Sequence, residues 1–342
     1  MTALEKVKLW LKENPKSACD DPSHKWPIGL ECLLTPAHEW PEFRPQKKFI
    51  GVQSIWSKPY QLAGEKVSTN SKMFWPSRLA ALCMWSYSAL QLAKVCQNTV
   101  FFGDAESCEL AKKLELPYGK IRQDLDYIEA FDSRLWATGK LYAMSLMERP
   151  YFHLDWDAVL FQPLPKRFET VDAFYQNWDY TSMLNSGLSR MYQQSLARML
   201  PYFRGTFLEG VAEERFAWSM GIFGTRHPQE VAQACCEVTA LMQSSPKYFR
   251  QKDLTGDMMV WEQASLHHLL SAKEDGIGTG PDFRTARYFG RINDRADAYK
   301  DGFCHFIAES KHNTCAIDLM LASFDAEYPE QFLRCIRFAG ES

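Results

Sequence analysis

The stretch Tyr151-Phe152-His153-Leu154-Asp155-Trp156-Asp157-Ala158-Val159-Leu160 restricts the fold more than any other part of the chain. β-forming residues run into two acids spaced i and i+2, and an apolar run leaves on the far side. Pro150 requires the preceding helix to have stopped. Residues two apart on an extended chain face one side, so Asp155 and Asp157 can face one target while the Trp156 indole faces the other. Hard divalent cations want several oxygen ligands. Mg²⁺ or Mn²⁺ takes one or two carboxylates and shares the rest of its shell with a substrate's phosphates. The pair therefore reads as a metal–diphosphate site at the end of a buried strand. An Asp-x-Asp alone is weak, because it usually marks a solvated turn. The apolar flanks argue against a plain turn, since burying unpaired carboxylates is costly.

A chain of 342 residues, 46% apolar and 24% charged, has room for one large α/β domain with additions, or for two domains. Aromatics reach 14%, with 11 Trp, which serves either core packing or stacking surfaces in a cleft. A net charge of −3 argues against non-specific nucleic-acid binding. The ten cysteines form no C-x-x-C and mostly sit in apolar surroundings, as reduced core thiols of a cytoplasmic protein do. The first 26 residues hold no apolar leader core, and no run approaches the ~18 apolar residues of a membrane helix, so no transmembrane segment is expected.

Residues 1–48 read as an irregular lead-in packed on the main domain, beginning with an amphipathic helix over 2–13. From residue 49 the pattern alternates. A strand over 49–55 ends in Trp56-Ser57-Lys58-Pro59, at the carboxyl edge where open α/β sheets bind ligands. Trp56 either stacks on a base there or only packs at the rim. A helix opens at Pro76-Ser77 and runs to 96, followed by a strand over 99–102 and a helix over 105–114. Asp104 is either that helix's N-cap or a nucleoside contact. A short strand lies near Ile121. A helix over 133–148 carries Lys140, either a phosphate partner or a solvated lysine. After Gln162-Pro163-Leu164-Pro165 the alternation loosens. Strands are expected over 180–183, 216–224 and 303–308, and helices over 191–200, 228–241, 257–270 and 327–338. His267 and His268 read as packing residues.

The stretch from Phe49 to about Asn313 resembles a GT-A glycosyltransferase, in particular the bacterial polysaccharide-type and glycogenin-like sugar transferases. Four segments carry the resemblance: Trp56-Ser57-Lys58-Pro59 after the first strand, Arg134-Leu135-Trp136-Ala137-Thr138-Gly139-Lys140 leading into Phe152-His153-Leu154-Asp155-Trp156-Asp157, Trp218-Ser219-Met220-Gly221-Ile222-Phe223-Gly224, and His305 with Lys311 six residues on. Ala308 stands where the last motif has Gly, which predicts a loop less free to wrap a phosphate. Ser219 stands where the third often has Asn. The resemblance implies an α/β, GT-A-like Rossmannoid mixed sheet flanked by helices. Residues 49–342 would form one domain, with a nucleotide-sugar half over 49–165 and a less regular acceptor half over 166–342.

It also implies a metal-dependent transfer of a sugar from a nucleotide-diphosphate sugar, by default a UDP-sugar, to a carbohydrate or other hydroxyl acceptor. Asp155, Asp157 and His305 would hold Mn²⁺ or Mg²⁺, with Asp155 also facing the ribose or sugar. Lys311 would meet the diphosphate, and Trp56, Lys58, Asp104 and Lys140 complete the candidate donor site. Inversion at the anomeric carbon needs a general base. Glu262 is the candidate, its alternative being a structural or acceptor-binding carboxylate. Two rival readings exist. A haloacid-dehalogenase-like phosphatase would use Asp155 as nucleophile and Gly256-Asp257 as its late motif, yet about a hundred residues of β/α pattern precede the acids here. A non-catalytic nucleotide-sugar-binding protein would commonly have lost one of the four site residues.

Overall fold

The computed structural model describes residues 26–61, 75–181, 187–245, 247–250, 254, 256–271, 283–289 and 296–340. The helix expected over 2–13 and the glycine loop 276–280 lie outside these.

The described residues form nine strands: β1 (Ile50–Ile55), β2 (Thr99–Gly103), β3 (Lys120–Arg122), β4 (Tyr151–Leu154), β5 (Ala158–Leu160), β6 (Ala173–Tyr180), β7 (Phe216–Thr225), β8 (Thr285–Arg287) and β9 (Phe303–His305). Seven form one sheet in the order β3-β2-β1-β4-β7-β6-β8, while β5 and β9 pair separately as an antiparallel ribbon. The first four sheet strands are mutually parallel; β7 runs antiparallel to both β4 and β6. Strands β1 to β3 step outward through the helices Arg78–Val95 and Ala105–Lys113. The chain then returns through Thr138–Ser145 to lay β4 on the other side of β1. That reversal between β1 and β4 is a topological switch point, beside which open sheets bind ligands. The architecture is α/β and GT-A-like, a mixed sheet flanked by helices.

The parallel strands are legible because both their faces are covered, which makes them continuous apolar runs. Helix Arg78–Val95 starts where Ser77 accepts the Ala80 amide at 3.1 Å. It is buried nearly all round, between the sheet and the helices Thr314–Glu327 and Pro329–Gly340. Tyr87 and Phe324, 5.3 Å apart, belong to that layer. The sequence anticipated only the second of those carboxyl-terminal helices.

Two further differences bear on function. Helix 133–148 shrinks to Thr138–Ser145, and Arg134 is instead tied to Asp132 and to the Phe249 carbonyl. Strand β6, expected only from residue 180, begins at Ala173. Its polar Gln176, Asn177 and Asp179 interrupt any apolar pattern, yet all three are buried.

Within the amino-terminal segment, Ile28 bridges His305 with two backbone hydrogen bonds of 2.9 Å. Gly29 has φ +63 and comes so close to the Phe303 carbonyl that a Cβ would lie 2.0 Å from its oxygen. Among the described residues no helix is long and apolar enough to cross a membrane.

Candidate metal and diphosphate site

Asp155 and Asp157 do not lie on a straight strand. The Asp155 amide donates to the Gly221 carbonyl of β7, and the Ala158 amide donates back to the Asp155 carbonyl, both at 2.9 Å. This tight turn ends β4 and starts β5. Strand β5 pairs with β9 so that Ala158 stands opposite His305, and the Phe306 amide donates to the Asp157 carbonyl at 2.9 Å. The ribbon thus sets His305 beside Asp157, with Nε2 3.2 Å from Oδ1. One ligand atom from each of Asp155, Asp157 and His305 falls within 4.8 Å of the others, the spacing a divalent ion needs. A set of two carboxylate oxygens and one imidazole nitrogen fits Mn²⁺ better than Mg²⁺, which prefers oxygen alone.

Lys311 is the fourth member. Its ammonium is 2.5 Å from Asp157 Oδ2 and 5.9 Å from the Trp156 ring centroid. Burial alone would raise the Asp157 carboxyl; Lys311 and His305 outweigh it and hold that group well below the usual carboxylate range. Asp155 is raised instead. Burial is the main cause, Lys140 opposes it and neighbouring Asp157 adds to it. Ala308, the residue standing for Gly, takes φ +47. The backbone adopts the left-handed conformation a glycine would favour, despite the Cβ. The short turn Ala308–His312 that follows carries Lys311.

Beneath the acids lies a buried ion cluster. Lys140 is 6% exposed and pairs with Asp155 Oδ1 and Glu262 Oε1, each at 2.7 Å. It also donates to the Met220 carbonyl. Gly139 makes this placement possible, because a Cβ there would lie 2.9 Å from Trp56 Cβ. Burial pulls the Lys140 ammonium down, but Asp155 and Glu262 reverse that and hold it at about 12. Glu262 sits on a π-helical turn, Val260–Ala264, and burial raises its carboxyl to about 7 against the pull of Lys140. His153, hydrogen-bonded to Ser54 at 2.8 Å, is kept neutral by burial and then by Lys140.

The structure places five of the candidate residues away from an open donor site. Lys140 is buried away from a donor phosphate: it donates to Asp155 Oδ1 and to the Met220 carbonyl, and Glu262 Oε1 lies 2.7 Å from its ammonium. Glu262 is 1% exposed and faces Lys140, so it presents no base to an acceptor hydroxyl. Trp56 is 2% exposed and packs in the core, offering no face to a base. Both Asp104 oxygens are engaged, one by the Ser107 amide and hydroxyl (3.0 and 2.7 Å), the other by those of Ser57 (2.6 and 2.7 Å). Asp104 is thus a helix cap and loop anchor rather than a nucleoside contact. Lys58 holds the segment Glu129–Phe131, donating to the Phe131 carbonyl at 3.3 Å. The phosphatase signal Gly256-Asp257 also resolves: Asp257 is buried on Arg198 (2.5 Å) and Tyr248.

A family model, described as Family of unknown function (DUF6734), matches residues 49–338. The chain belongs to that family. A search of the curated proteins gives this DUF6734 member no match. Among solved structures it is similar to mouse xyloside xylosyltransferase 1 in its apo form. The identity is 14% and the TM-score 0.32, over 65% of this chain and 84% of that one. A likeness that loose bears on neither the fold nor the chemistry, which rest on the strand order and the site described above.

Proposed function

We propose that this protein is a metal-dependent glycosyltransferase that moves a sugar from a nucleotide-diphosphate sugar, by default a UDP-sugar, to a hydroxyl acceptor. One observation carries the reading: Asp155, Asp157 and His305 converge within 4.8 Å, beside the switch point of the sheet. A divalent cation bound by these three supplies positive charge where a departing diphosphate develops negative charge. Lys311, 2.5 Å from Asp157, is the side chain that would add a donor to the same diphosphate. Asp155, whose side chain keeps 25% exposure, is the acid that would face the ribose or sugar. Lys140 holds Asp155 from beneath, and Glu262, facing Lys140, takes no proton from the acceptor.

The test is thermal unfolding with UDP and MnCl₂, added separately and together, for the wild type and Asp157→Ala. A ligand that binds only the native state stabilises it by about 2.7 kcal/mol at roughly a hundredfold excess over its Kd. A shift that needs both ligands and disappears in Asp157→Ala is expected. Absence of any shift with UDP, GDP or CDP would sink the transferase reading. The Mg²⁺-dependent phosphatase alternative would then be assayed by phosphate release.

A further inference from the structure

Strand β6 carries a register irregularity between Tyr175 and Asn177. Regular strands send successive side chains to opposite faces, and a bulge re-aims one of them. Here the neighbours Gln176 and Asn177 hydrogen-bond each other through their side chains at 2.9 Å. Both are fully buried. The polarity of the chain they form is fixed from one end. Asn177 Nδ2 donates to the Trp178 carbonyl (2.9 Å) and to Asp179 Oδ1 (3.1 Å). A carbonyl only accepts, so the Asn177 amide nitrogen must lie on that side and its oxygen on the other. That oxygen accepts from Gln176 Nε2, which also donates to Ser219 Oγ at 3.1 Å. Gln176 Oε1 is then the atom facing His305 Nδ1, at 2.7 Å. An amide oxygen can only accept, so Nδ1 carries the proton.

We infer that Gln176, oriented by Asn177 and Asp179, is the positioning residue that fixes His305 with its proton on Nδ1 and its Nε2 toward Asp157 and a divalent cation. The inference rests on the metal site proposed above. It also explains two features of the third motif. Ser219, standing where an Asn was expected, is the hydroxyl that receives the second Gln176 proton. Gly221 is needed because a Cβ there would lie 2.1 Å from Gln176 Oε1 and 2.4 Å from the His305 ring. Outer partners of this kind fix a ligating histidine's tautomer and raise its basicity. Their loss typically weakens metal affinity 10–100-fold.

The experiment measures Mn²⁺ binding by electron paramagnetic resonance, without nucleotide, for the wild type, Asp157→Ala, Gln176→Met and Gln176→Glu. A parallel nitrogen-labelled histidine NMR spectrum of the Cd²⁺-loaded wild type reads the His305 ring, assigned with His305→Asn. The expected result is a slow-exchanging Nδ1 proton and loss of affinity by roughly 10- to 100-fold in Gln176→Met. Gln176→Glu, which keeps an oxygen against Nδ1, should recover most of it. Wild-type affinity in Gln176→Met overturns the inference alone, as does a His305 ring protonated on Nε2, even if Gln176→Met does not fold. A wild type that binds no Mn²⁺, or no better than Asp157→Ala, overturns the metal reading with it.

Discussion

Replacing Lys140 by Met tests how the buried ion cluster holds the site. Methionine keeps the length and apolar stem of the side chain and removes only the ammonium. Asp155 and the Met220 carbonyl then lose a hydrogen-bond donor, and Glu262 loses the cation it faces. Removing one partner of a buried pair costs about 3–5 kcal/mol, because a charge is left uncompensated. Against a total stability of about 5–15 kcal/mol, that is a large fraction. The loss has a definite pH dependence. The Glu262 carboxyl already stands at about 7 in the folded protein, above its ordinary 4.5, because burial outweighs Lys140. A raised carboxyl contributes stability that is present below the unfolded value and lost as pH rises through the folded one. Without Lys140 the folded value climbs further, so wild type and variant diverge as pH rises and converge as both acids protonate. Urea unfolding at about pH 8 and about pH 5 should show the full 3–5 kcal/mol deficit at the higher pH and less than half of it at the lower. A deficit below about 1 kcal/mol at both, or one that grows on acidification, would refute the reasoning.

Ala308→Gly should raise stability by about 1 kcal/mol in the same assay, because φ +47 is a left-handed conformation that penalises a Cβ; a lower denaturation midpoint would count against the strain. Lys311→Ala, titrated calorimetrically with Mn²⁺ present, should weaken UDP about tenfold or more and leave uridine nearly unchanged, since a charge-assisted hydrogen bond contributes about 1.5–3 kcal/mol. Equal losses for the two ligands would remove Lys311 from the diphosphate.

The parallel half was legible because its strands are covered on both faces, and Asp155 and Asp157 because two acids interrupting such a run need a reason. What sequence could not give was the set of partners. Lys140 looked like a donor for phosphate, yet its partners come from three places: the turn after β4, the carbonyl of Met220 and a π-helical turn more than a hundred residues on. Glu262 looked like a base for the same reason. Trp56 and Lys58 follow a strand edge where ligands commonly bind, but Gly139 and the segment Glu129–Phe131 fold over them. Strand β6 was placed too late, at residue 180, and the part left out holds the residues that now matter most. Gln176-Asn177 followed by Asp179 lacks apolar alternation, and only the adjacency of two amides in a run otherwise rich in Phe, Tyr and Trp hinted at a buried polar chain.

The backbone bridge between Ile28 and His305 has a consequence for how the centre can be disturbed. His305 sits on a ribbon only three residue pairs long, and Ile28 holds its other edge. The candidate ligand farthest along the sequence is thus clasped by a residue of the amino-terminal segment. A cut, a bulky fusion or a binding protein that lifts the segment around Ile28 would open an edge next to His305 without touching any ligand. Loss of metal affinity would then be the first symptom of an event on the far side of the strand.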